Sequence, residues 1–183
     1  MEHPSLIRRL PRDSVVLIWG YEADHPFADQ CRKVSSTGLE FYVCPGTSSW
    51  CSFAGRTRNS RENLREAAVQ GAAFGATGYL MTDWGDYGHR QFTPASYGSL
   101  LYGAGLAWCR ASNDKVDVSA DVDRRVLADP ACGLADLWAR AGDVYLATGV
   151  TLKNRTVLFG IMEKKFEEVH SIDRLTVAGL RKA

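Results

Sequence analysis

The densest run of chemically capable side chains is Thr82-Asp83-Trp84-Gly85-Asp86-Tyr87-Gly88-His89. It combines two carboxylates, an indole, a phenol and an imidazole, and Gly85 and Gly88 let the backbone turn sharply. Trp and Tyr faces pack against the C–H bonds of sugars while a polar tip or neighbour stays wet. Asp accepts hydrogen bonds from hydroxyls. Asp83, Trp84, Asp86 and His89 are therefore candidate sugar-binding residues. The same residues could instead form a turn with a buried Trp and a helix-capping Asp.

A second cluster is Trp19-Gly20-Tyr21-Glu22-Ala23-Asp24-His25. Trp19 and Tyr21 offer aromatic faces. Glu22 and Asp24 could serve as a general acid and base, since glycoside hydrolysis ordinarily uses two carboxyl groups flanking the bond. They could also simply cap the helix that follows. A third cluster, Pro45-Gly46-Thr47-Ser48-Ser49-Trp50, adds hydroxyls and the indole of Trp50. The GxSxG elbow that would make Ser49 a nucleophile is missing.

Asp83, Asp86 and His89 are spaced i, i+3, i+6, and with His25 they could offer oxygen and nitrogen ligands. Against this, the chain has 4 His, two of them (His3 and His170) near its ends, and no HxH or HExxH. No metal and no cofactor is expected. The 5 Cys (Cys31, Cys44, Cys51, Cys109 and Cys132) are irregularly spaced and include no CxxC. They read as buried reduced thiols in an intracellular protein.

These residues must be held by a fold, and the composition constrains it. The chain has 183 residues, 45% hydrophobic and 23% charged, which describes a globular domain. Its 22 Lys and Arg nearly cancel 21 Asp and Glu, so no basic surplus favours nucleic acid or an anionic membrane. No stretch approaches the roughly 18 apolar residues of a membrane span. No secretory leader is read at the N-terminus, which favours a cytoplasmic location.

Strand and helix patterns alternate over the first 110 residues. Ser14–Tyr21 is nearly continuously apolar, as in a strand buried on both faces. A short helix over Phe27–Val34 follows, then a strand over Leu39–Cys44 and a polar loop over Thr47–Arg58. Leu64, Ala67, Ala68, Gly71 and Ala72 make one helix face, with Asn59 or Ser60 as cap and Gly75 as terminator. Gly78–Thr82 is a third strand, and Thr93-Pro94 opens a small-residue helix to about Trp108. This alternation implies a parallel sheet with right-handed crossovers. The aromatic-acidic clusters all follow strands, and ligands in such folds bind beyond the carboxyl ends of strands.

Residues 111–183 read as helical. Ser119 caps a helix to about Leu127 that Asp129-Pro130 stops. Leu134, Leu137, Trp138, Ala141, Val144 and Tyr145 form one amphipathic face, and Leu158, Ile161, Met162 and Phe166 form another. Ser171 could cap a last short helix.

The segments VLIWGYEADHPF, FYVCPGTSSWCSFAGRT and GATGYLMTDWGDYGHRQ, with SYGSLLYGAGLAW after the third, resemble the C-terminal part of the catalytic barrel in bacterial proteins similar to family 20 glycoside hydrolases, the β-N-acetylhexosaminidases. The resemblance covers roughly residues 6 to 150. It implies a (β/α)8 barrel and a retaining mechanism in which the substrate's own 2-acetamido oxygen attacks the anomeric carbon. An adjacent Asp-Glu pair orients that group and protonates the leaving oxygen. The chain contains no Asp-Glu dipeptide, so the pair would lie upstream. By the same resemblance Trp84 matches a wall of the acetamido pocket. Asp86 stands where the family places a hydroxyl-binding Glu. Trp19 and Tyr21 match late-barrel aromatics, with Tyr21 as the amide-holding Tyr, and Trp50 is a looser candidate wall.

The expected architecture is α/β: the last three βα units of a (β/α)8 TIM barrel in residues 1–110, an incomplete barrel, then a helical C-terminal extension in residues 111–183. The expected ligand is an N-acetylhexosamine-type glycan, and Glu22 is the one candidate catalytic residue. The alternatives are a non-catalytic carbohydrate-binding or structural module and a metal-dependent barrel hydrolase. Three strands cannot close an eight-stranded barrel, so self-association or a completing N-terminal barrel segment is expected.

Overall fold

The computed structural model describes residues 4–128, 131 and 133–183. His3, Cys132 and the Asp129-Pro130 helix stop lie outside these residues.

The chain is mixed α/β, about 53% helical, with one small parallel sheet. Strands β1 (Val15–Trp19), β2 (Glu40–Cys44) and β3 (Gly78–Tyr79) lie side by side in chain order. Val15 pairs with Glu40 and Trp19 with Cys44, while Tyr42 pairs with Gly78. The third strand is shorter than its sequence pattern, yet its backbone stays beside β2. Leu80 N–H donates to Val43 O and Thr82 N–H to Pro45 O, both at 2.9 Å, and Gly46 and Thr82 form an isolated parallel bridge.

Alternation along the strands divides the sheet into two unlike faces. Ile18, Phe41 and Val43 point into a core shared with Phe27, Cys31 and Val34 of helix α1 (Phe27–Ser35) and Ala67 of helix α2 (Thr57–Phe74). The opposite face carries Val15, Leu17, Trp19 and Leu80, which are 41%, 49%, 62% and 45% exposed. No helix covers it. The expectation of a first strand buried on both faces is met on one face only, and among the described residues the tail does not cover the other.

Helix α2 ends as its sequence requires. Gly75 takes φ 79°, and Ala76 N–H reaches back to Gly71 O at 2.8 Å. Leu64, Ala67, Ala68 and Gly71 are buried as expected, whereas Ala72 faces solvent. The helix begins at Thr57, earlier than the Asn59 or Ser60 cap read from the sequence. Asn59 and Ser60 lie inside it and are buried. The reason is packing: this polar first turn is turned toward the strand-end loops and fastens them.

After the 3-10 turn Thr93–Ser96, helix α4 (Tyr97–Asn113) packs on α2 through Tyr102 and Leu106. Its geometry breaks at Cys109 (φ −156°, ψ 94°), next to the expected end at Trp108. The tail contains α5 (Val118–Arg125), α6 (Leu134–Ala141), α7 (Val157–Met162) and α8 (Val177–Leu180), with 3-10 turns between. The α5 cap is Asp117, whose side chain accepts from Ala120 N, and the α8 cap is Thr176. The expected caps Ser119 and Ser171 serve neither. The stripe read on α6 is not its buried side: Ala135 is buried, while Leu137 is 55% exposed. Tyr145, Val150, Val157 and Ile172 form a small separate core for the distal tail.

Candidate functional site

The loops that leave β1, β2 and β3 meet at one end of the sheet. Two buried asparagines of α2 hold them there. Asn63, fully buried, donates from Nδ2 to Gly20 O (3.0 Å) and Glu22 O (2.9 Å), and its Oδ1 accepts from Gly46 N. Asn59 Nδ2 donates to Tyr21 O (2.7 Å) and Ser48 Oγ (2.8 Å), and its Oδ1 accepts from Ala23 N. Each amide uses both its donor and its acceptor ends, which suits a buried linker between backbones.

The first half of the segment read as a polar loop is buried. Thr47, Ser48, Ser49 and Ser52 are 0–1% exposed, and Trp50 is 1% exposed. Their hydroxyls are satisfied internally, which lets polar residues occupy the interior. Thr47 Oγ1 and Ser49 Oγ each lie 2.6 Å from Asp83 Oδ1, and Ser96 Oγ donates to Asp83 Oδ2 at 2.8 Å. Asp83 thus accepts three hydroxyls and locks the loop after β3 to the loop after β2 and to the start of α4. That accounts for its conformation without any ligand.

A cleft of about 520 Å³ opens beside these loops, at the carboxyl ends of the strands and on the helix-free face of the sheet. Its floor is Leu17, Cys44 and Leu80, and its walls are Trp19, Tyr21, Trp50 and Trp84. Tyr21 is the hub of the aromatics. Its ring centroid lies 5.6 Å from Trp19, 5.1 Å from Trp50 in an edge-on arrangement, and 6.3 Å from Trp84. Trp19 and Trp84 show free surface, 62% and 45% exposed, whereas Trp50 contributes only an edge. The indole N–H of Trp84 donates to Thr82 Oγ1 (3.2 Å), and Gln91 Nε2 donates to its carbonyl (2.9 Å). The first bond fixes the indole's angle and the second holds the main chain beneath it.

The polar groups of the cleft are Thr82, Asp86 and Asn154. Asp86 opens the single-turn helix α3 (Asp86–His89), and its carboxylate has no ion pair or hydrogen bond among the described residues. Asn154 comes from the tail. Its sequence context pointed to this role only faintly, because the contact spans the whole distance from β1 to the tail. A weak local signal was present, since the turn needs a residue tolerant of φ 58°, and Asn is one.

Glu22 stands beside the cleft and is not free. Arg56, 2% exposed, donates from Nη1 and Nη2 to its two carboxylate oxygens at 2.9 and 3.1 Å. Asn154 N–H adds a third bond to it at 2.7 Å. His89 and Asp83 do not line the cleft. Among the described residues no group of three or more His, Cys, Asp or Glu is placed to hold a metal ion, so Asp83, Asp86, His89 and His25 do not converge. His25 instead packs against Phe27 with ring centroids 4.4 Å apart. Cys44 lies in the floor as an inert thiol, its pKa pushed up to about 11 by burial.

Backbone strain concentrates here. Of the seven described non-glycine residues with positive φ, Ser48, Cys51, Tyr87, His89 and Asn154 belong to the cleft loops or their immediate supports. Such conformations cost energy and persist where the surroundings enforce them, most often at binding sites. A second, more enclosed cavity of about 60 Å³ lies between α2, α4, α5 and α6, away from the strand ends, with room for only a few waters.

No protein-family model matches the chain, and no curated protein is significantly similar to it.

Proposed function

We propose that the cleft binds a carbohydrate, an N-acetylhexosamine-type glycan, and that the chain is the sugar-binding portion of a glycoside hydrolase-like barrel without its own proton donor. The observation that carries this reading is the cleft itself. Two exposed indoles and a phenol stand around a neutral apolar floor at the carboxyl ends of parallel strands, and the unpaired carboxylate of Asp86 lies at the rim. Stacked aromatics with a few hydrogen-bonding groups suit a ligand that has apolar C–H faces and hydroxyl edges.

The barrel reading is supported by topology. Strands in sequential order with their helices on one face are what a segment of a (β/α)8 barrel contains. A doubly wound sheet would carry helices on both faces and reverse its strand order at a switch point. The uncovered face with Val15, Leu17 and Leu80 would then be barrel interior.

The non-catalytic side of the reading has its own support. Glu22 is held by Arg56, and Asp83 by three hydroxyls. Neither is presented to the cleft as an acid. We expect the 183-residue chain to bind N-acetylglucosamine in a titration followed by tryptophan emission, with Trp84→Ala abolishing binding. We also expect no hydrolysis of a chromogenic N-acetylglucosaminide. Turnover that disappears in Glu22→Gln would overturn the non-catalytic reading and make Glu22 the acid. Absence of any sugar binding would overturn the carbohydrate reading.

A further inference from the structure

The geometry points to Asn154, at the tip of a turn in the C-terminal tail, as a ligand-contacting and specificity-determining residue of the cleft; this rests on the carbohydrate reading above. The tail is expected to be an accessory extension, but residues 152–156 are built into the site. Leu152 and Arg155 pair in an antiparallel bridge that closes a tight turn. Four attachments then pin that turn to the strand-end loops. Asn154 N–H donates to Glu22 Oε1 at 2.7 Å, and Arg56 Nη1 lies 3.4 Å from Leu152 O. Thr156 N–H donates to Cys51 O at 3.0 Å, and the Arg155 guanidinium lies 4.7 Å from the centre of the Tyr87 ring.

So much anchoring around one short turn gives the residue at its tip a fixed place. That tip is Asn154, which contributes to the cleft wall together with Tyr21, Trp84 and Asp86. Its backbone N–H is consumed by Glu22, but its carboxamide makes no hydrogen bond to any described residue. An amide offers a donor and an acceptor side by side. Asp86 offers only acceptors when ionised. Between them they match a substituent that both donates and accepts, such as a sugar hydroxyl or an acetamido group. The ion pair Glu22–Arg56 acquires a purpose in this account: it is the clamp that sets the tail against the cleft, and Glu22 is a positioning residue.

The test separates a binding role from a structural one by using glycine. Asn154→Gly keeps the positive φ without penalty and keeps the backbone N–H that Glu22 receives, while removing the carboxamide alone. N-acetylglucosamine and glucose are titrated separately into the full chain, into Asn154→Gly and into Trp84→Ala, following tryptophan emission, with melting temperatures measured in parallel. The expected result is an Asn154→Gly protein that melts like the parent and binds N-acetylglucosamine about fivefold or more weakly. An equal loss for glucose assigns the amide to a ring hydroxyl; a loss confined to N-acetylglucosamine assigns it to the acetamido group. Unchanged affinity for both sugars overturns the inference and leaves the carbohydrate reading standing. A fall of many degrees in melting temperature overturns it in favour of a structural role. A parent chain that binds neither sugar removes the carbohydrate reading, and Asn154 with it.

Discussion

The guanidinium of Arg56 grips both carboxylate oxygens of Glu22, at 2.9 and 3.1 Å, from a side chain that is only 2% exposed. A bidentate pair with one buried partner is asymmetric in its consequences. Removing the carboxylate strands a desolvated cation, which costs more than the pair itself contributes. Glu22→Ala is therefore expected to lower stability by about 2–4 kcal/mol, less than for a fully buried pair because Glu22 keeps some solvent contact. Equilibrium denaturation of parent and variant measures it. A change under half a kcal/mol would mean that water already compensates Arg56.

His25 is expected to make the fold sensitive to acid. Its imidazole packs against Phe27 and over Gly20, where an added methyl group would overlap the ring. Its Nε2 is buried and has no hydrogen-bond partner among the described residues. Burial holds its pKa below the ordinary 6.5, with Gln30 opposing part of that shift. A depressed histidine pKa means that the unfolded chain takes up the proton first. The contribution is fully present above pH 6.5 and is lost as pH falls through the lowered folded value. The denaturation midpoint should therefore drop between pH 7.5 and 5.5, and His25→Gln should flatten that slope. Equal slopes in both proteins would show that His25 is solvated in both protonation states.

The apolar runs and the helix stop at Gly75 were legible in the sequence because each depends on neighbours in the chain. Phe27–Ser35 and Glu40–Cys44 fall within a residue of their expected bounds for that reason. The burial of Thr47, Ser48 and Ser49 was not legible, because polar residues read as surface unless their partners are known, and here the partner is Asp83 from a distant loop. The same holds for Asn59, read as a cap, and for Asn63: the polarity of both serves to tie loops together. Of the candidate residues, Trp19, Tyr21, Trp50, Trp84 and Asp86 converge on one cleft because strand ends in a parallel sheet lie together. Glu22 and Asp83 are diverted by groups that sequence distance concealed.

Gly46 sets the width of the aromatic wall. A Cβ placed there would lie 2.6 Å from the Trp50 ring and 2.8 Å from Tyr21, so the rings pack directly over its backbone. Gly46→Ala must push Trp50 or Tyr21 outward. The expected cost is about 1–3 kcal/mol, together with a change in tryptophan emission and weaker sugar binding, because Tyr21 carries the contacts to Trp19 and Trp84. Thermal melts and emission spectra of the variant test both parts. An unperturbed spectrum with parent-like stability would show that the loop after β2 yields instead of the rings.

The helix-free face of the sheet should govern how the chain behaves at high concentration. Val15, Leu17, Trp19 and Leu80 lie on that face with 41–62% of their surfaces exposed, and among the described residues β1 and β3 each present an unpaired edge. A contiguous apolar surface bounded by open strand edges favours association. Sedimentation velocity over a concentration series is expected to show self-association that weakens in Val15→Lys, since a charge on an edge strand discourages both pairing and apolar contact. Val15 lies outside the cleft, so the proposed sugar binding should survive the change. A parent chain that stays monomeric across the series would mean that exposed Trp19 and Leu17 are tolerated in water, and the uncovered face would then need no partner.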